Sequence, residues 1–484
     1  MATATALAAL SALAIVTQDQ APLRAAPRDS AAQQAVLWAG DSLELRGEKG
    51  DYLKVYDHRH ERAGYIKAPS VRVQSLQPTG AAELLAVARF LRDTPGSEAL
   101  GIGYAAAYLK AAPAEAIDGE VFEALGAMAE RLARRGSGAQ TNKPGEARAG
   151  QATAAHLEVA AAYGVNMLSF ERNGQVRLCY DGEAHRRVLA LPATSQQKAL
   201  AALALTRHDC VSPELTPVER FNRDNWRAEV LDRVEADKLP AVLKNRLRLR
   251  KAGVWASLAY QRARRPELGA PAAQQAANRA LSELAGVDKG ELMETDGAAY
   301  ADAAIRVGAS RWAAETPPPA AKSPARLSIA VTPGQPGESC VHLVDAKHDV
   351  KNPLLTRCTY GIVWAASSSP NANGTALALA VQPLDTWREM WVFRHEPQGW
   401  RIDILPPAND NPGLGYVEFA GWVPGGRQLL AARETRSEGR HKCSFEVLRL
   451  ATLEVEKQAD KPANLSSFYR WQSPAWKSQT VAIR

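Results

Sequence analysis

The chain has 484 residues, too many for one hydrophobic core, and at roughly 150 residues per domain it should hold about three. Hydrophobic residues make up 46% and charged residues 23%, which excludes wholesale disorder. The net charge of +7 permits contact with an anionic polymer without requiring it.

The run Ala6 to Val16 is apolar apart from Ser11. It has the length of a signal-peptide core and is too short to span a bilayer. Ala12-Leu13-Ala14 supplies a small-x-small cleavage pattern, so residues 1–14 read as a truncated signal peptide with Ile15 as the first mature residue. No Lys or Arg precedes the run, which leaves an ordinary N-terminal helix as the alternative. No later stretch reaches membrane-spanning length. The expectation is a soluble chain, periplasmic or otherwise exported.

Residues 15–76 alternate apolar and polar in short runs broken by Gly, Asp and Pro, the pattern of a small all-β barrel. Its punctuation is Leu23-Arg24-Ala25-Ala26-Pro27, then Gly40-Asp41-Ser42-Leu43-Glu44-Leu45, then Tyr52-Leu53-Lys54-Val55, then Gly64-Tyr65-Ile66. These four ordered segments resemble the bacterial SH3 (SH3b) domain family, with Tyr52 and Tyr65 where that family carries tryptophan. The resemblance implies an SH3-like barrel, and related barrels use aromatic rings to pack on peptide or sugar faces. Trp38, Tyr52 and Tyr65 are therefore the candidate ligand-binding residues, with core filling as the alternative for each.

Residues 78–315 switch to an alanine- and leucine-rich helical pattern, read as an all-α middle domain without a defensible repeat. Leu84, Val87, Ala88 and Leu91 recur at helical spacing. Thr216-Pro217-Val218-Glu219 predicts a capping box with proline at the first helical position. Further helices are expected from Ala241 past Leu258, over Pro271 to Ala285, and over Gly297 to Trp312. Gly136 to Gly150 reads as a polar loop, and Val176 to Tyr180 as a short β interruption after the turn Asn173-Gly174. The basic runs Lys244–Lys251 and Arg262–Arg265 read as a solvated helix face.

Residues 316–325 are a Pro-rich linker, and strand-like runs fill 326–484. Three segments suggest a repeat. Trp364 precedes Ala376 to Ala380, Trp422-Val423-Pro424-Gly425-Gly426 precedes Leu429 to Ala432, and Trp471-Gln472-Ser473-Pro474 precedes Thr480 to Ile483. The middle copy resembles the blades of TolB-type β-propellers, which implies a small or incomplete propeller; a β-sandwich is the alternative.

Five cysteines are expected to give two disulfides, Cys179–Cys210 and Cys340–Cys358, leaving Cys443 single. A histidine lies two residues from Cys210, Cys340 and Cys443, but no such pair is joined to a second, so no metal and no cofactor is expected. Serine-hydrolase, zinc-protease, Walker and Cys-x-x-Cys signatures are absent from the sequence. The reading is an exported cell-envelope binding or scaffolding protein. Its barrel would contact cell-wall peptide or glycan and its β-domain an envelope protein, with no nucleic acid. A wall hydrolase with dispersed carboxylates is the alternative.

Overall fold

The alternating segment up to Ser75 forms β1 (Ala12–Val16), β2 (Ala21–Arg24), β3 (Gln33–Leu37), β4 (Ser42–Lys49), β5 (Tyr52–Asp57), β6 (Arg62–Lys67) and β7 (Val71–Ser75). They build one antiparallel sheet in the order β3-β2-β6-β5-β4-β1-β7. The computed structural model describes residues 12–138, 146–172, 174–316, 326–408, 413–437 and 439–483. Among them the sheet runs open from β3 to β7, without the closing pair of a barrel. The tightest connection is the two-residue turn Gly50-Asp51 between β4 and β5. Gly50, at φ +60°, begins the turn that brings Lys49 opposite Tyr52.

β1 covers the expected cleavage position. The cut between Ala14 and Ile15 falls inside this strand, which pairs with β4 on one side and β7 on the other. Its alternation serves two cores. Ala14 and Val16 pack with Leu23, Leu43, Val55 and Ile66 inside the sheet. Ile15 packs with Leu84, Ile102 and Tyr104 on the opposite face. A strand buried on both faces reads as a continuous apolar run, the same pattern that a signal-peptide core shows.

Helices α1 (Ala81–Arg92), α2 (Glu98–Ala111), α3 (Gly119–Gly138), α4 (Glu146–Ala162), α5 (Glu183–Ala190) and α6 (Ser195–Leu205) follow, interrupted by the hairpin β8 (Met167–Arg172) and β9 (Gln175–Tyr180). Leu84, Ala88 and Leu91 are the buried stripe of α1, as their spacing predicts. The loop expected over 136–150 is helical at both ends. Its middle, 139–145, and Asn173 of the predicted turn lie outside the described residues. Gly40, at φ +98°, sets the sheet against α2: a Cβ there would lie 2.4 Å from the Ala99 carbonyl oxygen. Only glycine permits that approach.

The chain divides into two compact units, Met1–Leu215 and Thr216–Arg484, so the helices expected over 78–315 are shared between them. The second opens with α7 (Pro217–Asp232), α8 (Ala241–Ala263), α9 (Ala270–Ala285) and α10 (Gly297–Ser310). The predicted capping box is present: Thr216 Oγ1 accepts from the Glu219 amide, and Glu219 accepts from the Thr216 amide. The expected Pro-rich linker lies, from residue 317 on, outside the described residues. The basic run of α8 is part solvated and part paired. Arg246 pairs with Asp296, and Lys251, nearly buried, pairs with Asp232.

Three strands, β10 (Ser328–Pro333), β11 (Ser339–Val344) and β12 (Leu355–Thr359), form a small antiparallel sheet. Two four-stranded antiparallel meanders follow. One is β13 (Ile362–Pro370), β14 (Ala376–Leu384), β15 (Trp387–Glu396) and β16 (Gly399–Leu405). The other is β17 (Leu414–Trp422), β18 (Gln428–Ser437), β19 (Arg440–Arg449) and β20 (Val455–Ala459). They join by a short parallel bridge in which Trp387 and Arg388 of β15 face Gly415 and Tyr416 of β17. The first two repeat copies occupy equivalent places: Trp364 in β13 precedes β14, and Trp422 at the end of β17 precedes β18. The third copy is corrected. Trp471 closes α11 (Ser466–Trp471), and Thr480 to Ile483 end α12 (Pro474–Ile483) rather than forming a strand. Pro474 fits the first turn of a helix, where its missing N–H costs nothing.

Candidate ligand-binding face

Strand alternation places Tyr52, Lys54 and Tyr56 of β5 on one face and Leu53, Val55 and Asp57 on the other. The register extends that first face across the sheet: Lys67 lies opposite Tyr52, Tyr65 opposite Lys54, and Arg24 of β2 opposite Tyr65. Three tyrosines thus share a surface with Arg24, Lys54 and Lys67. Tyr52 is the anchored member. It is buried, and its hydroxyl donates to Asp29 Oδ1 at 2.6 Å. Lys67 Nζ reaches the same carboxylate at 2.8 Å. The bonds from Lys67 and Tyr52 hold the Asp29 carboxyl below its usual range, and in return the Tyr52 phenol is pushed up. Tyr65 is half-buried and lies between the exposed Lys54 and the half-buried Arg24. At the other end, Arg46 stacks on Tyr56 with its Cζ 4.1 Å from the ring centroid, and His58 meets the same ring edge-on.

The sequence-predicted residues therefore separate. Tyr52 and Tyr65 are diagonal neighbours on this face, whereas Trp38 belongs elsewhere. Its ring packs edge-on against His156 of α4, and its amide donates to Asp41 Oδ2 at 2.8 Å. Arg59 bridges Asp41 at 2.8 Å and Glu158 of α4 at 2.7 Å. Burial pushes the Asp41 carboxyl up, against the Trp38 amide and Arg59. Trp38 thus helps seat the sheet on the helices. Tyr56, Lys54 and Arg24 were missed as site residues, although the period of two in Tyr52-x-Lys54-x-Tyr56 carries the signal.

Both expected disulfides are present, Cys179–Cys210 with Cα atoms 5.8 Å apart and Cys340–Cys358 between directly opposed residues of β11 and β12. The histidines near the cysteines do not gather. His208 opens the 3₁₀ turn that ends at Cys210, His342 sits between the Thr332 and Thr356 hydroxyls, and His441 binds Asp302 at 2.7 Å. Glu338, Cys340 and Cys358 are the one group of metal-ligand type among the described residues, and its two sulfurs are bonded to each other.

A second ionic cluster is structural and sets an acid limit. Burial alone would push the Glu130 carboxyl of α3 up. His185 at 3.6 Å, Arg207 at 3.7 Å and Arg134 at 2.9 Å instead bring it from 4.5 to about 2. A carboxyl depressed by folding contributes stability above its unfolded value and loses it as pH falls through the folded one. The window is therefore pH 4.5 down to about 2. At about 1.4 kcal/mol per unit, the contribution is about 3 kcal/mol as an upper figure. Urea denaturation followed by far-UV circular dichroism at pH 7 and pH 3 checks this. Glu130→Gln should remove part of the pH-dependent loss in the first unit, the rest staying with Asp209 and Glu98, whose carboxyls are also held low, and an unchanged loss would place the acid sensitivity elsewhere.

Among the described residues no helix is long and apolar enough to cross a membrane. Set against known proteins, the chain matches no family model, no curated protein and no solved structure.

Proposed function

We propose that this chain is an exported cell-envelope binding protein whose N-terminal sheet holds wall peptide or glycan on the face of Tyr52, Tyr56 and Tyr65. The observation that carries the reading is the gathering of three tyrosines with Arg24, Lys54 and Lys67 on one side of β2, β6 and β5. Aromatic rings give a sugar or peptide a flat apolar surface, and the flanking cations favour the carboxylates of wall peptides. Two disulfides support an oxidising compartment. The four segments that resemble the SH3b family fall on β2 and its turn, β4, β5 and β6, in keeping with an SH3-like domain. The paired four-stranded meanders of the second unit support a propeller-like reading, with their outer surface offered to an envelope protein.

Co-sedimentation of the full chain with purified peptidoglycan tests the first part. Tyr56→Ala/Tyr65→Ala should reduce retention about tenfold, the usual scale for removing aromatic anchors. Tyr52 is left intact because its bond to Asp29 belongs to the fold. Retention of the double variant equal to that of the unmodified chain would exclude the face, and no retention of either would remove the wall as ligand. A clear zone on a peptidoglycan zymogram would instead favour the hydrolase.

A further inference from the structure

Within the unit Thr216–Arg484, charges are buried where apolar strands would be expected to exclude them. Arg311 follows α10 and grips Glu418 of β17 with two bonds, Nε to Oε2 at 3.0 Å and Nη2 to Oε1 at 2.6 Å. Arg388 of β15 adds a third, from Nη2 to Oε2 at 2.5 Å. All three side chains are more than nine-tenths buried, and Arg388 is wholly so. Among the described residues neither arginine makes an ion pair with another carboxylate, so two guanidinium charges share one negative charge. Arg388 Nε and Nη1 are buried without a hydrogen-bond partner, as are Trp312 Nε1 and Ser310 Oγ. An uncompensated buried charge is among the costliest features a fold can carry.

Beside this cluster lies a cavity of about 180 Å³. Arg311, Trp312 and Glu418 give it polar groups, and Ser369 and Ser473 also line it. Leu379, Met390, Val417, Phe419 and Trp476 line the rest. The Trp312 indole lies under the Arg311 guanidinium, whose Cζ is 3.9 Å from the ring centroid. The space is below the roughly 300 Å³ at which drug-sized pockets begin.

We infer that this cavity binds a small organic monocarboxylate, its anionic end at Arg311 and the Trp312 N–H and its short apolar body against Leu379, Met390 and Phe419. One negative charge would balance the cluster, the indole N–H would gain an acceptor, and the apolar walls would bury the ligand's carbon atoms. A multiply charged anion would leave charge against an apolar wall. The inference concerns a different unit from the tyrosine face and stands apart from it.

The test is titration of the full chain with hexanoate, read by calorimetry and by the indole N–H resonances. Hexanoate should bind saturably and at least about tenfold more tightly than hexanol, the uncharged isostere, because a charge-assisted bond is made only by the acid. The indole resonance that is lost in Trp312→Phe should shift, and that variant should also weaken binding about tenfold. Ala366→Phe, placed to fill the cavity, should abolish binding. If that variant does not fold, Trp312→Phe and the resonance still decide. No saturable binding of hexanoate, equal binding of hexanol, or no shift of the Trp312 indole would each overturn the site.

Discussion

Glu418→Gln should cost the second unit about 3–5 kcal/mol, the largest effect expected of any single polar substitution in this chain. The glutamine amide can fill the same space, but it leaves the Arg311 and Arg388 charges facing each other without an anion. Burial alone would push the Glu418 carboxyl up, yet the two arginines hold it below the usual carboxylate range, so the group is charged at neutral pH. Urea denaturation followed by tryptophan fluorescence measures the loss, since every tryptophan except Trp38 lies in this unit. Adding Arg388→Met to Glu418→Gln should recover part of it, because the double change removes one unpaired charge as well as its partner. A single-variant loss below about 1 kcal/mol would mean that the cluster is hydrated and contributes as a surface pair does.

Removing the disulfide of the first unit should have an effect nearly as large. Cys179 and Cys210 are 31 residues apart in sequence. In the chain-entropy picture a loop of that size stabilises by about 3–4 kcal/mol. The bond ties β9 to the 3₁₀ turn after α6, beside the ion pair of Arg207 and Asp209. Cys179→Ser/Cys210→Ser should lower the urea midpoint of the far-UV signal correspondingly, and an unchanged midpoint would show that packing alone holds the turn. Accessibility also predicts an order of reduction. Cys179 is 1% exposed whereas Cys358 is exposed, so a mild thiol should open Cys340–Cys358 first. Timed alkylation and peptide mapping would establish the order.

Local chemistry made much of the secondary structure legible. The capping box at Thr216, the Ala270–Ala285 helix behind its proline and the strands around Tyr52 depend on residues a few positions apart, and those patterns sit in the sequence itself. What failed were features whose cause is distant. The pairing of Ala12–Val16 with β4 and β7 is likewise invisible in its apolar run. Thr480 to Ile483 are apolar enough for a strand, but their segment is the helix opened by Pro474. Of the candidate site, Tyr52 and Tyr65 could be named, while Trp38 went to the sheet–helix contact that only tertiary packing creates. Arg311 and Glu418 are 107 residues apart, and a lone charge inside an apolar run gives no hint of its partner.

The position of β1 also bears on the order in which the chain can acquire structure as it is synthesised. Both of its neighbours are made after it, β4 first and β7 only at Val71–Ser75. Its Ile15 face waits longer still, until Leu84 and Ile102 arrive. A nascent chain therefore carries an apolar strand with at least one open edge until the sheet is complete, with contacts of long sequence separation still to form. During that interval the segment is a natural target for a holding chaperone, and of all the strands in the first unit it has the longest opportunity to pair wrongly with another copy of itself.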